Sequence, residues 1–296
     1  MMESNNLNIE KLMQDERTKG AQLRFYSVSV ILPTLVLLLI TFGWIYSGDH
    51  FSNIALWGAH HEAFLYLNQA SQIFPIEIIQ LATLLGDTSV ALLMLAPLMW
   101  HRPGAWLAIV FSIPVGAVAS VLMKYLTAVP RPAAIIDESS FILAGQVLSG
   151  HNSFPSGHCI TIFAAAAAIL TTKSIRGRQF LQWGLFSFVI LVSLFVCYSR
   201  IAIGAHWPID VVAGAAIGWI SGLSGVLLLR RWMKQEVAML FVRTKAIFVF
   251  VIGVCVTLIV MKWSVVLHEQ VLLTMAIACG GTCLGKMLAT RKSLVL

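Results

Sequence analysis

Long apolar segments separated by short polar ones are the feature that most constrains this sequence. The stretch from Phe25 to Tyr46 contains no charged residue. As an α-helix it would measure roughly 33 Å, which is enough to cross the hydrocarbon core of a bilayer. Only 11% of the residues are charged and 58% are hydrophobic, so the chain has too few polar side chains to coat a water-soluble globule of its size. The solvent for most of this surface is therefore a bilayer.

Further apolar segments follow the first, so the sequence predicts an all-α protein, a polytopic bundle of about eight transmembrane helices. The second segment contains Glu77 and Asp87 and is the least regular, and its spanning part is expected to begin near Leu81. The last two are short for spans, which leaves a re-entrant hairpin open as an alternative. The later segments are about Ile76–Trp100, Ala105–Met123, His158–Thr172, Phe180–Ser199, Ile209–Leu229, Ala246–Met261 and Val271–Gly285.

The basic residues predict the orientation of the bundle, because cytoplasmic loops of membrane proteins are enriched in Lys and Arg. We expect both termini in the cytoplasm, with residues 1–24 forming a retained cytoplasmic segment rather than a cleaved signal peptide. The cytoplasmic side then holds Lys11, Arg17, Lys19, Arg24, Arg102, Lys173, Arg176, Arg178, Arg230, Arg231, Lys234, Arg243, Lys245, Lys286, Arg291 and Lys292. Of the 20 basic residues, the outer side keeps only Lys124, Arg131, Arg200 and Lys262. The formal charge of +7 is thus spread between apolar runs, a distribution that argues against nucleic-acid binding.

The two longest predicted loops, about 47–75 and 127–157, lie on the outer side, so function is expected there. Three polar patches stand at the outer ends of the predicted helices. Their sequences are KYLTAVPRP from Lys124 to Pro132, PSGH from Pro155 to His158, and SRIAIGAHWPID from Ser199 to Asp210.

The first chemical property of these patches is a concentration of positive charge. Lys124, Arg131 and Arg200 bring cations to a face where few acidic residues stand nearby, and Arg donors suit the oxygens of phosphate. Ser156 and Gly157 begin a helix, so a hydroxyl and free backbone N–H groups can point at the same anion. We call Lys124, Arg131, Ser156, Gly157 and Arg200 the phosphate cradle.

Two histidines add reactivity to the phosphate cradle. Asp210 follows His206 by four residues and shares a helix face with it if the helix begins near Ala205. The carboxylate would then hold the proton of one ring nitrogen and leave the other nitrogen free to attack phosphorus. His158 begins another helix and is placed to give a proton to the departing oxygen.

The three motifs, K-x6-RP, PSGH and SR-x5-H-x3-D, resemble the type 2 phosphatidic acid phosphatase (PAP2) superfamily, which includes membrane lipid phosphatases and vanadium haloperoxidases. The resemblance covers about residues 83–229. It implies phosphate binding by the phosphate cradle, acid catalysis by His158, phosphoryl acceptance by His206 and support from Asp210. It also implies that no metal or other cofactor is needed, and a core of six helices. On this basis we assign residues 25–231 to a PAP2-like phosphatase domain and residues 232–296 to two additional helices and a short tail.

The resulting hypothesis is a multi-pass phosphatase of the cytoplasmic membrane whose site faces the periplasm or cell exterior. Its substrate would be a lipid phosphate, with undecaprenyl diphosphate preferred over phosphatidylglycerophosphate, phosphatidate and lipid A phosphate. Two alternatives stay open: a phosphotransferase that passes phosphate to a lipid or sugar acceptor, and a non-enzymatic binder or transporter of lipid phosphates.

Other polar residues receive structural interpretations. His50, His60, His61, His101 and His268 are interpreted as interfacial anchors, and His151 as a loop residue. Asp87 is ionisable near or within the membrane, where either function or a structural hydrogen bond would explain it. Gly214, Gly218 and Gly222 recur every fourth residue and predict close helix packing. The sequence G-L-S-G at Gly222 to Gly225 is similar to the nucleophile motif of rhomboid proteases, an interpretation that the distant His268 disfavours.

Overall fold

The computed structural model describes residues 31–40, 43, 54–145, 147–172, 179–232, 237–261 and 267–289, and every regular element in these ranges is a helix. The prediction of an all-α protein is therefore confirmed. Residues 1–30, which contain the predicted cytoplasmic segment, lie outside the described residues, as do His50 and several predicted loop cations, among them Lys173, Arg176, Arg178, Lys234 and Lys262. The helices are α1 (Ile31–Ile40), α2 (Ile54–Ala70), α3 (Ile76–Leu85), α4 (Thr88–Met94), α5 (Leu98–His101), α6 (Pro103–Thr127), α7 (Pro132–Ile135), α8 (Gly157–Thr172), α9 (Gln179–Ala202), α10 (Pro208–Trp232), α11 (Val237–Met261) and α12 (Leu267–Ala289).

Five stretches of the described chain are long and apolar enough to cross a membrane, and the bent pair α3–α4 makes a sixth if it counts as one span. The five are Pro103–Ile135, Trp183–Ala202, Pro208–Trp232, Thr244–Met261 and Glu269–Ala289. The chain is thus a multi-pass membrane protein. Helices α11 and α12 contain 25 and 23 residues, longer than predicted, because each continues through flanking polar positions that apolar patterning leaves out. Each can cross a bilayer by itself, so neither needs the re-entrant arrangement.

The second predicted span, Ile76–Trp100, is not one straight helix. It bends by 83° between α3 and α4, at Gly86 and Asp87. The Asp87 carboxylate accepts hydrogen bonds from the backbone N–H groups of Ser89 and Val90, at 2.8 and 3.3 Å. A break inside a bilayer leaves such groups without water. Asp87 therefore caps α4, which is the structural one of its two interpretations.

The prediction of a loop over residues 47–75 is wrong, because α2 occupies Ile54–Ala70. Its sequence includes His60, His61 and Glu62, which interrupt the apolar pattern. Within residues 60–70 of α2, the buried side chains are Phe64 and Asn68, four residues apart on one face, and both are completely inaccessible to solvent. A helix that buries one narrow face gives little hydropathy signal.

Helices α6, α8 and α10 pack together at the centre of the bundle. Added Cβ atoms at Gly214, Gly218 and Gly222 of α10 would lie 2.6, 2.4 and 2.4 Å from backbone oxygens of Ser156, Ile160 and Ala164. The predicted glycine packing stripe is confirmed. We call this contact between α8 and α10 the glycine seam. The nearby Ser224 hydroxyl donates to the Ile220 carbonyl at 2.9 Å within its own helix.

The C-terminal helices α11 and α12 pack against each other and against α4. Phe248 of α11 contacts Trp106 of α6, with ring centroids 4.9 Å apart. Gly280 of α12 lies against Leu93 of α4, where an added Cβ would approach to 2.5 Å. The two additional helices therefore cover the short second half of the bent span.

Candidate active site

The three sequence motifs meet where α6 and α9 end and where α8 and α10 begin. The backbone N–H of Ser153 donates to the carbonyl of Val129, and that of Arg131 donates to the carbonyl of Gly150, both at 3.0 Å. These bonds pair the segment after α6 with the segment before α8. The N–H of Ser156 donates to the carbonyl of Asp210 at 3.0 Å, which joins the starts of α8 and α10.

His206, Asp210 and Ser153 form a buried hydrogen-bonded group. The His206 Nδ1 lies 3.4 Å from Oδ2 of Asp210 and 3.4 Å from the Ser153 hydroxyl oxygen. The Ser153 hydroxyl donates to the same Asp210 oxygen at 2.5 Å. Because that hydroxyl proton is directed to the carboxylate, the remaining proton in the group belongs on Nδ1. Nε2 of His206 is then the unprotonated nitrogen and carries the lone pair that a nucleophile needs.

The local backbone around His206 differs from the prediction. Helix α10 begins at Pro208 rather than near Ala205, so His206 stands in the turn before the helix. The turn is closed by Gly204, which has a φ of +76°, and by hydrogen bonds from the N–H groups of Ala205 and His206 to the Arg200 carbonyl. An added Cβ at Gly204 would also lie 2.5 Å from the Phe141 ring. Glycine is thus required by backbone conformation and by space.

The phosphate cradle surrounds this group with hydrogen-bond donors. Arg131 is held by bonds from Nε to Oδ1 of Asn152 at 2.9 Å and from Nη1 to the Ala205 carbonyl at 3.0 Å. Lys124 lies half-buried in the last turn of α6. Among the described residues, the Ser156 hydroxyl and Nε of Arg200 are buried polar atoms with no hydrogen-bond partner. Unpaired buried donors are costly, and a bound anion would satisfy both.

The protonation state of His206 is compatible with the nucleophilic role that the sequence predicts for it. Burial lowers the pKa of the His206 imidazole well below its ordinary value of 6.5, and the charges of Arg200, Arg131, His158 and Lys124 lower it further. His206 is therefore neutral at neutral pH. These neighbours act on His206 because the structure brings all of them around one ring. Among the described residues, no three His, Cys, Asp or Glu side chains converge to hold a metal.

His158 stands in the first turn of α8, immediately after Gly157 and partly exposed. It lines a cavity of about 270 Å³ between α4, α6 and α8, together with Gly86, Asp87 and Gly157. Thus every residue that the sequence predicted for the site lies at these four helix ends.

Sequence reasoning missed several residues that hold the site together. Ser153 and Asn152 precede the PSGH motif without a recognisable pattern of their own. Asn68 lies on α2, within the segment that the sequence predicts as a loop. Its side-chain nitrogen donates to the carbonyls of Ile201 and Ala202, and its oxygen accepts from the N–H of Ile142 at 2.7 Å. These bonds tie α2 to the turn that carries His206.

Two other histidines and an acidic pair lie at exposed positions. His151 is exposed in the loop before α8, as expected of a loop residue, and His101 is exposed at the end of α5. Asp137 and Glu138 are exposed in the loop between α7 and α8, and hydrogen bonds from Ser139 lower the pKa of the Asp137 carboxyl. Both acids are therefore solvated.

Comparison with known proteins bears on the whole of this region. Residues 105–236 match the PAP2 superfamily. This part of the chain is a PAP2 superfamily domain, which confirms the resemblance drawn from the three motifs. All of the predicted catalytic and phosphate-cradle residues lie within it.

Individual relatives include membrane phosphatases. An undecaprenyl-diphosphatase of Sulfolobus acidocaldarius is 30% identical over 119 residues, which cover 40% of this chain and 52% of that protein. A lipid A 1-phosphatase of Rhizobium johnstonii is 32% identical over 138 residues, covering 44% of this chain and 49% of that protein. The chain thus spans about half the length of these relatives. The crystal structure of LpxE from Aquifex aeolicus matches with a TM-score of 0.48 and 25% identity, covering 56% of this chain and 93% of that one.

Proposed function

We propose that this protein is a membrane phosphatase that removes the terminal phosphate of a lipid phosphomonoester or diphosphate through a phosphohistidine at His206. The observation that carries the proposal is the pairing of a buried, neutral His206 with unpaired donors beside it. Nδ1 of His206 is held by Asp210 and Ser153, while Ser156 Oγ and Arg200 Nε lack partners within the described chain. Phosphoryl transfer requires a nucleophile together with donors that can bind the phosphate oxygens.

In the first step, Nε2 of His206 attacks phosphorus. The Nε2–P bond forms and the bond from phosphorus to the leaving oxygen breaks, while His158 in its protonated form gives its proton to that oxygen. The imidazolium character that develops on His206 is balanced by Asp210 through Nδ1. The phosphate cradle binds the three non-bridging oxygens, on which negative charge is spread in the transition state.

In the second step, neutral His158 takes a proton from a water molecule as its oxygen attacks phosphorus. The Nε2–P bond breaks, inorganic phosphate leaves, and both histidines return to their starting states. Proton loss and gain balance over the cycle, so no external acid or base is consumed.

The substrate is an amphiphile that keeps its chain in the membrane while its head group enters the phosphate cradle. The cradle lies at helix ends, next to apolar faces such as those of Val118, Val121 and Leu122 on α6, which are exposed. Isoprenoid diphosphate is our preferred substrate class, since the relative from Sulfolobus acidocaldarius bears the name undecaprenyl-diphosphatase. We place the site at the outer face, because 16 of the 20 Lys and Arg residues fall in segments assigned to the opposite, cytoplasmic side.

The test offers the purified protein in detergent a panel of lipid phosphates with chelator present and measures free phosphate. The panel contains undecaprenyl diphosphate, phosphatidylglycerophosphate, phosphatidate and lipid A phosphate. His206→Ala and His158→Ala should insert normally and lose phosphate release on lipid substrates by about two to four orders of magnitude. His101→Ala, at an exposed position far from the site, serves as the matched control and should retain activity.

Near-normal turnover by His206→Ala would contradict the mechanism, and activity abolished by chelator would contradict a phosphatase that works without a metal. Measuring loss of lipid phosphate beside free phosphate separates hydrolysis from transfer. Equal amounts indicate hydrolysis, whereas a deficit of free phosphate that depends on an added acceptor indicates a phosphotransferase.

A further inference from the structure

The bend between α3 and α4 packs directly on His158. An added Cβ at Gly86 would lie 2.8 Å from Cβ of His158 and 3.0 Å from Cδ2 of its ring, and 3.0 Å from Cγ1 of Val196. The 2.8 Å approach is closer than real Cβ atoms come to other carbons, and the two 3.0 Å approaches are tighter than most such contacts. The His158 side chain thus occupies the space that any side chain at position 86 would need.

Both helices that flank the bend, α3 and α4, are hydrogen-bonded to helices of the site. At the start of α4, the Thr88 hydroxyl is 2.8 Å from the hydroxyl of Thr161, which lies three residues after His158 on α8. At the end of α3, the Thr83 hydroxyl is 2.8 Å from that of Ser199, the neighbour of Arg200 on α9. Asp87 keeps the break itself satisfied by capping α4. The bend is therefore a fixed element that touches the helices of the proposed acid and of the phosphate cradle.

Free volume adjoins this contact. His158 and Gly86 both line the cavity of about 270 Å³ between α4, α6 and α8. An imidazole that touches a rigid wall and borders free volume is held in place by the wall, and crowding from the wall would displace it into that volume. The cavity also means that such crowding does not have to unfold the bundle.

We propose that Gly86 is a positioning residue for His158, whose missing side chain places the imidazole where it can protonate the leaving oxygen. This inference rests on the proposed function, in which His158 is the general acid. Gly86 lies outside residues 105–236 that match the PAP2 superfamily.

The test uses dependence on the leaving group, a property that a purely structural defect does not change. An alkyl phosphate needs proton transfer to its departing oxygen, whereas p-nitrophenyl phosphate releases a stable anion without it. The two substrates are compared by kcat/KM, which reports events up to the first irreversible step. Gly86→Ala should lower kcat/KM for a lipid phosphate about tenfold or more while changing that for p-nitrophenyl phosphate less than about twofold.

Gly116→Ala is the matched steric control. Its Cβ would lie 2.8 Å from Cγ2 of Ile160, two residues beyond His158 on the same helix, so it crowds α8 without touching the imidazole. We expect it to lower both kcat/KM values by the same factor. An equal loss on both substrates in Gly86→Ala would overturn the proposal.

A second variant relieves the crowding. Val196→Ala removes the other side chain that a Cβ at position 86 would meet, so Gly86→Ala combined with Val196→Ala should regain part of the lost activity on the lipid substrate. Loss of both activities in the single and the double variant would mean that the bend is only structural, and would also overturn the proposal.

His158→Ala, measured in parallel, separates this inference from the proposed function. If His158→Ala is selective for the leaving group and Gly86→Ala is not, the inference fails while the assigned acid stands. If His158→Ala shows no selectivity, the assigned acid itself is wrong, and the inference falls with it.

Discussion

The N-terminal ends of α8 and α10 differ sharply from the remaining lengths of the same two helices. Along the glycine seam, Gly214, Gly218 and Gly222 let backbones approach until no side chain would fit. At the N-terminal ends, the same helix pair carries buried polar groups, such as the Ser156 hydroxyl, that have no partner among the residues that the structure describes. Close packing along the rest of the helices fixes the positions of groups that we propose bind the phosphate. One helix pair therefore combines a closely packed, stabilising length with an end that carries the proposed chemistry.

The largest expected effect is a loss of phosphate release on substitution of a residue in the phosphate cradle. Arg200→Ala should lower phosphate release from a lipid phosphate by about 10²–10³-fold, because an unpaired buried donor aimed at the anion is lost. Arg200→Lys should recover only part of this, since an ammonium group cannot reproduce the guanidinium donors. The measurement is the initial rate of phosphate release in detergent.

The matched control for charge is Arg231→Ala, an exposed arginine at the opposite end of α10. It should leave the rate within about twofold, in line with the weak contributions of exposed charges. A similar loss in both variants would mean that Arg200 acts through net charge and not through its place in the phosphate cradle.

The next effect concerns the glycine seam. Gly218→Ala would place a Cβ 2.4 Å from the carbonyl oxygen of Ile160, a backbone atom that cannot move aside. We expect a loss of about 1–3 kcal/mol in the free energy of unfolding. The measurement is chemical or thermal unfolding in detergent, followed by tryptophan fluorescence.

Gly253→Ala on α11 is the control, because an added Cβ there meets nothing within 4 Å. Its helix propensity alone should raise stability slightly, by up to about 1 kcal/mol. If Gly218→Ala is equally harmless, the seam does not hold the two helices in the way that we describe.

A smaller effect, on kcat, is expected from substitution of Ser153, whose hydroxyl contacts both Asp210 and His206. Ser153→Ala should reduce kcat about tenfold, equivalent to roughly 1.4 kcal/mol, because the orientation of the His206 ring loses one of its two supports. KM should change little. A large rise in KM with constant kcat would instead make Ser153 a substrate-binding residue.

The smallest expected effect is a displacement of the pH profile. The pKa of His206 lies well below 6.5 because of burial and the surrounding positive charges, and the protonated ring cannot attack. Activity should therefore be retained as the pH falls through 6.5 and should decline only at lower pH. The measurement is kcat/KM against pH, corrected for the substrate's second phosphate ionisation near about pH 6. An acid limb above pH 6.5 would contradict this environment for His206.

Much of the site could be predicted because its residues are fixed by local spacing. Arg200, His206 and Asp210 lie within one turn and its flanking helices, and Ser156 to His158 start another helix. Their meeting could not be computed from spacing alone, yet the joint presence of three motifs pointed to it. The predicted span of about Ile209–Leu229 agrees with the start of α10 at Pro208. The helical position assumed for His206 is wrong, because Gly204 closes a turn before the helix and that turn depends on contact with Phe141.

Other features depend on distant contacts that no local pattern reveals. Asn68 bonds to residues 133 and 134 positions away, and Ser153 to a residue 57 positions away. Helix α2 also escapes local pattern analysis, because two histidines and a glutamate interrupt its apolar residues. The bend at Gly86 depends on the packing of α3 on α9 and of α4 on α8. The one local indication of it is the charge of Asp87 within an apolar segment.

The central claim, a phosphoryl group carried by His206, can be tested by trapping it. His158→Ala should still be phosphorylated by p-nitrophenyl phosphate, whose leaving group needs no acid, but should hydrolyse slowly because the base of the second step is missing. Rapid quenching followed by mass spectrometry should find an acid-labile, base-stable phosphoryl group on His206, absent from the variant that also carries His206→Ala. Phosphate on another residue, or turnover without any phosphorylated protein, would contradict the account.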